Sequence, residues 1–410
     1  MKSKKILIIG AGAGQVPLIE ESRKRGLETH VVSPNGPYPG IKCADVWVEE
    51  DIYNKDALVQ YARQHRIDFV LSDQSDFAVP TVAYIAEKCG LPGNRIVTAE
   101  IYSDKHTQRD FCREHHLNIP QSFKVENEQA VDQIPFAFPW VVKPADSQGS
   151  RGIRKLFNLE EAVSAIRDAY RYSKKREVVV EEYFQGRELV CEGFVLNGKY
   201  YNIAFGDRLY FHLEDKFIPS QTIFPSDIEA SVCEQIVAHE ARFASLAQAE
   251  FGIVHSEYLV RDGQFVLVES ALRGGGVYIS SHLIPAVYEL NLTQLLLDCL
   301  TGYKEDVERK LSQSLPQRSS AYVCFYLRPG RIARVEGAEA VKSDPHVIQA
   351  DIDTYQVGFE YGLMEHKGNR LGPVLLVADN RSALRAEVSH LHDIYRIYYE
   401  GDADNAIVWE

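Results

Sequence analysis

Apolar positions along the first hundred residues follow two rhythms in alternation. Lys4 to Gly10 is a β-rich apolar run that stops at Gly10-Ala-Gly-Ala-Gly14, and a 3.6-residue pattern through Val16, Leu18 and Ile19 carries on to Gly26. A second strand is predicted at Glu28 to Ser33, a helix at Lys55 to Gln64 and a further strand at Asp68 to Ser72. Strands alternating with helices predict a parallel, doubly wound, Rossmann-like sheet.

From about residue 101 the pattern changes. A helix starts at Ser103-Asp-Lys-His, with Ser103 or Asp104 as N-cap, and Pro120 closes it. Phe138 to Pro144 reads as a strand that delivers Lys143, followed by the turn-rich Ala145 to Gly152 and a strand from Ile153 to Phe157. Leu159 to Tyr172 is an amphipathic helix, and Glu177 to Tyr183 is a strand that turns at Gln185-Gly186 into its expected hairpin partner, Glu188 to Val195. A helical segment from Ala230 to Glu250 leads into two alternating apolar runs around Arg261-Asp-Gly263, which predict a β-hairpin. Beyond about 310 the pattern is mixed α+β, with strands near Ala321 to Leu327 and Val374 to Ala378.

That hairpin carries two acids, Glu257 and Glu269, that could converge on Mg²⁺. Arg273 follows on a loop of three glycines whose amides can approach phosphate. Paired acids, an arginine and exposed amides suit phosphoryl transfer, although a hairpin with two solvated glutamates satisfies the same residues. Lys143 lies in a buried-type strand, where an ammonium needs a counter-charge. The glycine turn after the first strand invites a dinucleotide reading. However, Gln15 stands where the fingerprint needs its last glycine, and the second strand ends in Ser33-Pro-Asn35 without the expected acid, so NAD is not expected. The turn could still cradle a carboxylate or phosphate.

Composition narrows the classes. A chain of 410 residues predicts two or three domains, and 45% hydrophobic with 25% charged residues is globular. No apolar run approaches the roughly 20 residues of a membrane span, and the basic N-terminus reads as the lead-in to the first strand rather than a signal peptide. Seven cysteines, at 43, 89, 112, 191, 233, 299 and 324, form no CxxC pair, which predicts reduced thiols, a cytoplasmic setting and no zinc. A net charge of −13 disfavours nucleic acid as a partner.

Four elements stand in order: Lys105; Val141-Val-Lys143-Pro with its small-residue loop; Glu181-Glu-Tyr183 with Glu188; and Glu257, Glu269 and Arg273. This series resembles the ATP-grasp superfamily, in its carbamoyl-phosphate-synthetase and biotin-carboxylase branch, and is nearest in pattern to amino-acid ligases. The resemblance implies an ATP-grasp fold of α/β and α+β type. It divides the chain into an N-terminal Rossmann-like domain (1–100), an ATP-grasp domain with a lid near 140–180 (101–310) and a C-terminal α+β domain (311–410).

Site roles follow from the same resemblance. Lys105 and Lys143 face the ATP phosphates, and Ser147, Gln148, Gly149 and Ser150 fold over the triphosphate. Glu181, Glu182 and Tyr183 read adenine, and Glu188 receives the ribose hydroxyls. Glu257 and Glu269 hold Mg²⁺, with Mn²⁺ as a substitute. Where the family usually has asparagine this chain has Ala271, which leaves one coordination position to water or Ser270. Arg273 is the catalytic residue that stabilises the transferring phosphoryl group. Gly274 and Gly275 lie on the substrate side, where Arg208 is the candidate clamp for a substrate carboxylate. His255, His282 and Arg370 are given structural places.

The implied activity is ATP-dependent carboxylate–amine ligation through an acyl phosphate, releasing ADP and phosphate. The partners are a small-molecule acid and amine, with no nucleic acid and no membrane, and a homodimer is implied at family level only. An ATP-dependent carboxylase or formyl-phosphate ligase is the chemical alternative, and a nucleotide-binding module without turnover is the alternative from another class. A biotin carrier is not expected within the chain, since neither Met1 nor Met364 adjoins a carrier-type lysine.

Overall fold

The structure is a computed structural model that describes residues 3–125, 128–145, 152–173, 176–213, 216–313 and 318–410. Its first unit is a parallel sheet of Lys5–Ile9 (β1), Glu28–Ser33 (β2), Val46–Glu49 (β3) and Phe69–Leu71 (β4), in the order β3-β2-β1-β4. Both faces of β1 are covered, which is why its residues are continuously apolar: Ile6 and Ile8 join Leu18 and Ile19 on one side, and Leu7 and Ile9 join Leu58 and Val70 on the other. The half-exposed β3 has no counterpart in the sequence expectation. In the glycine turn, Gln15 is buried, and its Oε1 lies 3.3 Å from where a Gly10 side chain would begin and 3.2 Å from the same point at Gly12. The side chain that breaks the dinucleotide pattern therefore lies against the turn itself.

Ser122–Val125 (β5), Trp140–Pro144 (β6), Arg154–Leu156 (β7) and Val178–Glu182 (β8) form an antiparallel sheet in the order β5-β8-β6-β7. Helix Leu159–Tyr172, capped by Asn158 accepting from the Glu161 amide at 3.1 Å, lays Ala162, Ala165, Ile166 and Ala169 on one face of this sheet. Val142 and Val180 point into that core. Their neighbours Lys143 and Glu181 therefore emerge on the other face.

The floor is one large antiparallel sheet. Its strands are Arg187–Leu196 (β9), Lys199–Tyr210 (β10), Pro219–Phe224 (β11), Phe251–Arg261 (β12), Gln264–Ala271 (β13) and Ser319–Leu327 (β14), and, after Gly330–Glu336 (β15), also Val347–Ala350 (β16). Beyond Glu360–Tyr361 (β17) it takes in Leu371–Ala378 (β18), and after Arg396–Tyr399 (β19) it takes in Ile407–Val408 (β20). Their order is β13-β12-β9-β10-β11-β14-β18-β16, with β20 beside β14, while β17-β15-β19 forms a small separate sheet. The expected hairpin of β8 with β9 does not form: β8 pairs with β5 and β6 in the lid, and β9 with β10 and β12 in the floor, so the Gln185-Gly186 segment crosses between sheets. The floor runs across residue 310 without interruption, because β11 pairs with β14 from Gln221↔Val323 to Phe224↔Ser320. The β12–β13 turn places Asp262 (φ 51°) and Gly263 (φ 76°) in the left-handed region, as a two-residue hairpin with matched twist requires. Helix Ala230–Leu246 supports the hairpin through Ile236 and Phe243, in one core with Tyr258 and Leu267.

Candidate functional site

Strand pairing stacks the candidate residues in three adjacent rows. In the middle row Glu269 faces Glu257, which faces Val190 and then Gly206. One row over, Leu259, Glu188, Arg208 and Thr222 stand in line. On the other side the row is Ala271, His255, Glu192 and Ala204. Because the side-chain period of a strand is two, all three rows open on one face.

Above this face is a cleft of about 720 Å³ between the floor and the four-stranded lid sheet. It is lined by Lys105, Lys143, Glu181, Glu182, Tyr183, Glu188, Arg208, Glu257 and Glu269. Volumes of a few hundred to about 1,000 Å³ are usual for cofactor-sized ligands. Apolar walls come from Val141 and Ile153 on the lid side and Leu259 and Val268 on the floor.

The charges are organised in pairs. Lys143 donates to Glu181 at 2.6 Å, and the same carboxylate accepts from Arg109 Nε at 2.8 Å. Burial alone would raise the Glu181 pKa, but Arg109 and Lys143 outweigh it and hold the group down to about 2. Lys105, first residue of helix Lys105–Glu114, donates to Glu269 Oε1 at 2.9 Å. Burial opposes its charge, yet Glu269 keeps its pKa above the ordinary lysine value. Arg208 bridges Glu188, at 3.0 Å, and Glu257. Burial disfavours the Glu257 carboxylate, but Arg208 and His255 hold it well below the usual range.

The two glutamates are a hard-oxygen pair of the kind that suits Mg²⁺ or Mn²⁺. Arg208 and His255 both approach Glu257 on Oε1, and Lys105 approaches Glu269 on Oε1. One oxygen of each carboxylate is therefore outside these contacts. The residues fit a divalent cation carried in with nucleotide phosphates.

Several residues sit differently from the sequence expectation. Glu181 is buried between two cations, so its carboxylate anchors Lys143 rather than standing free for a base amino group. The Glu182 and Tyr183 amides donate to Gln121 and Pro139 carbonyls, each at 3.0 Å, so those two backbone donors are spent within the lid. Arg273 pairs with Asp76 of the N-terminal unit, Nε at 2.5 Å and Nη2 at 3.0 Å, and does not line the 720 Å³ cleft. The Gly274 amide donates to the Asp73 carbonyl at 2.7 Å and is not offered to phosphate. Gly275 is buried against Glu192 and His255. Ser270 cannot replace the missing asparagine, because it faces the opposite side of β13, where its Oγ accepts from Ser256 at 2.9 Å. Ala271 is buried opposite His255 and offers no ligand atom. Ser147, Gln148, Gly149 and Ser150 lie outside the described residues.

Other residues emerge only in three dimensions. Arg109 follows Lys105 by four residues on the same helix face, a spacing that could have revealed it. Lys155 lies 3.7 Å from the Tyr183 ring centroid. Lys367, half-buried ahead of β18, has its pKa pushed down to about 7 by burial and by Arg370 and Arg208. Arg370 donates to the Pro219 carbonyl at 2.8 Å, tying that segment to β11. His282 shares a contact of 2.8 Å with Ser281. Among the described residues, no single helix is long and apolar enough to cross a membrane.

Two antiparallel sheets closing on a cleft with lysines on the lid side and paired acids on the floor define the class: an ATP-grasp fold. Residues 136–281 match the family described as ATP-grasp domain. D-alanine--D-alanine ligase A from Bacillus cereus is 28% identical over 124 residues, a match covering 29% of this chain and 40% of that protein. The chain thus spans about two fifths of the length of such a curated relative. A crystal structure of L-amino acid ligase from Bacillus licheniformis superposes with a TM-score of 0.83 at 20% identity, covering 97% of this chain and 99% of that one. Phosphoribosylglycinamide synthetase from Anaerococcus prevotii superposes with a TM-score of 0.76 at 18% identity, covering 97% and 100%. At these identities the likeness is one of fold.

Proposed function

We propose that the chain is an ATP-dependent carboxylate–amine ligase. One observation carries the reading: Lys105, Lys143, Glu188, Glu257 and Glu269, drawn from four separate stretches of sequence, line a single nucleotide-sized cleft. Lys143, fixed by Glu181, and Lys105, fixed by Glu269, supply positive charge for the phosphates of ATP. Glu188 stands in the row beside the acid pair, where it accepts from Arg208 and Tyr210 and would receive ribose hydroxyls on its remaining lone pairs. Glu257 and Glu269 would hold Mg²⁺, which draws charge from the γ-phosphoryl group.

A carboxylate oxygen of the acid attacks the γ-phosphorus as the bond to the β-γ bridging oxygen breaks, giving ADP and an acyl phosphate. The amine nitrogen then attacks the acyl carbon, phosphate leaves and the nitrogen loses a proton, so the products are amide, ADP and phosphate. The chain contributes placement and electrostatics, and the phosphoanhydride supplies the driving force.

The test is incubation with Mg-ATP and pairwise panels of amino acids and other small acids and amines. ADP, phosphate and a new amide in equal amounts are expected. ADP formation that depends on bicarbonate or formate alone would move the reading to the carboxylase or formyl-phosphate alternative. Tight ATP binding without turnover on any pair would favour the non-catalytic module.

A further inference from the structure

We propose that Glu192 and His255 are a positioning pair that sets the cation-facing carboxylate of Glu257, and that residue 275 is glycine because its backbone rests on that pair. The inference rests on the proposed function only in requiring that Glu257 take part in binding a divalent cation.

Glu192 and His255 face each other across β9 and β12, and His255 Nδ1 lies 2.5 Å from Glu192 Oε1. The other ring nitrogen, Nε2, lies 3.5 Å from Glu257 Oε1. Glu192 is 0% exposed and His255 4% exposed, and neither lines the cleft. They therefore act through Glu257 rather than on a ligand. A bond at Nδ1 fixes the ring, and with it the direction of the opposite nitrogen. Arg208 reaches the same Oε1 from the neighbouring row. Two protein groups thus hold one oxygen of Glu257 and leave the other for a cation.

A purely structural role explains this row poorly. Burying a carboxylate and an imidazole costs more than burying apolar side chains of the same size, and the second Glu192 oxygen is buried with no hydrogen-bond partner. The neighbouring loop is shaped to the pair. A side chain begun at Gly275 would lie 1.9 Å from Glu192 Oε1 and 2.6 Å from His255 Nδ1. The three-glycine loop is thereby in register with the carboxylate that faces the cation.

The experiment is Mn²⁺ binding in the presence of ADP, read from the free-ion electron paramagnetic resonance signal, with thermal melting and metal-free ADP binding measured in parallel. For Glu192→Gln and His255→Leu, a loss of Mn²⁺ affinity of about ten- to hundredfold is expected while metal-free ADP binding changes little. His255→Gln, which keeps a donor near the Nε2 position, should recover part of the loss. If Glu192→Gln does not fold, the His255→Leu and His255→Gln comparison decides. Folded variants with Mn²⁺ affinity within about twofold of wild type would overturn the positioning role. Failure of the wild-type chain to bind Mn²⁺ with ADP would instead overturn the cation assignment beneath both proposals.

Discussion

Lys143 and Glu181 lie on adjacent lid strands with Nζ 2.6 Å from Oε2, and Arg109 takes the other oxygen of the same carboxylate at 2.8 Å. Glu181→Gln would leave two buried cations sharing a neutral amide. Breaking such a pair costs on the order of 3–5 kcal/mol. The sign of its pH dependence follows from the carboxyl being held down to about 2. The native state favours the ionised form, so the stabilisation is present above the ordinary value of 4.5 and is lost as pH falls towards 2. Urea melts between pH 2 and 7 should show a wild-type advantage that is constant above about pH 5 and shrinks in acid. An advantage that persists undiminished at pH 2 would count against the pairing.

Glu269 faces Glu257 across the hairpin and carries the Lys105 contact. Glu269→Gln keeps the size of the side chain and removes its charge, so phosphate release should fall by at least about 100-fold. Normal release at ordinary Mg²⁺ concentrations would remove Glu269 from the cation site.

Asp73 is buried behind the glycine loop, where Thr293 donates to it at 3.2 Å and burial pushes its carboxyl up to about 7. Here the sign is reversed. The native state holds the proton more tightly than the unfolded chain, so the contribution is complete below 3.8 and is lost as pH rises through about 7. Between these limits the loss runs at roughly 1 kcal/mol per pH unit. Asp73→Asn should flatten that slope, which denaturation at pH 4, 6 and 8 can measure.

Gly275 and Gly263 provide a matched comparison. Gly275→Ala meets Glu192 at 1.9 Å inside the protein and should destabilise by about 1–3 kcal/mol. The same change at Gly263, whose φ is +76° with nothing within 4 Å of the new atom, should cost about 1 kcal/mol through backbone strain alone. Melting curves should therefore separate the two. Mg-dependent turnover should suffer at position 275 and survive at 263.

Legibility in the sequence followed the range of the interaction. Helix Leu159–Tyr172 spans the predicted amphipathic segment in full, because an unbroken 3.6-residue rhythm is a local signal. The β12–β13 hairpin was equally clear, since Asp-Gly between alternating runs specifies its turn. β3 and β11 were not read, because four or six residues with mixed polarity become strands only through their partners. The same distinction holds for the site. Lys143 and the two hairpin glutamates stand out by type and setting, whereas Lys105 enters only through the family resemblance. Asp76 is 197 positions from Arg273, and Glu192 is 63 from His255, so neither pairing has any trace in local sequence. Glu181 shows the converse: the resemblance brings it to the cleft, but its pairings with Lys143 and Arg109 span 38 and 72 positions and are not local.

The unbroken floor has a mechanical corollary. With β11 and β14 bonded side by side, β14 and β18 belong to the same sheet as the acid-bearing β12 and β13, and parting them would mean tearing a ladder of hydrogen bonds. Among the described residues the smaller sheet shares no strand pairing with that floor, and side chains such as Arg109, which joins Glu181 to the Val268 carbonyl, make the link instead.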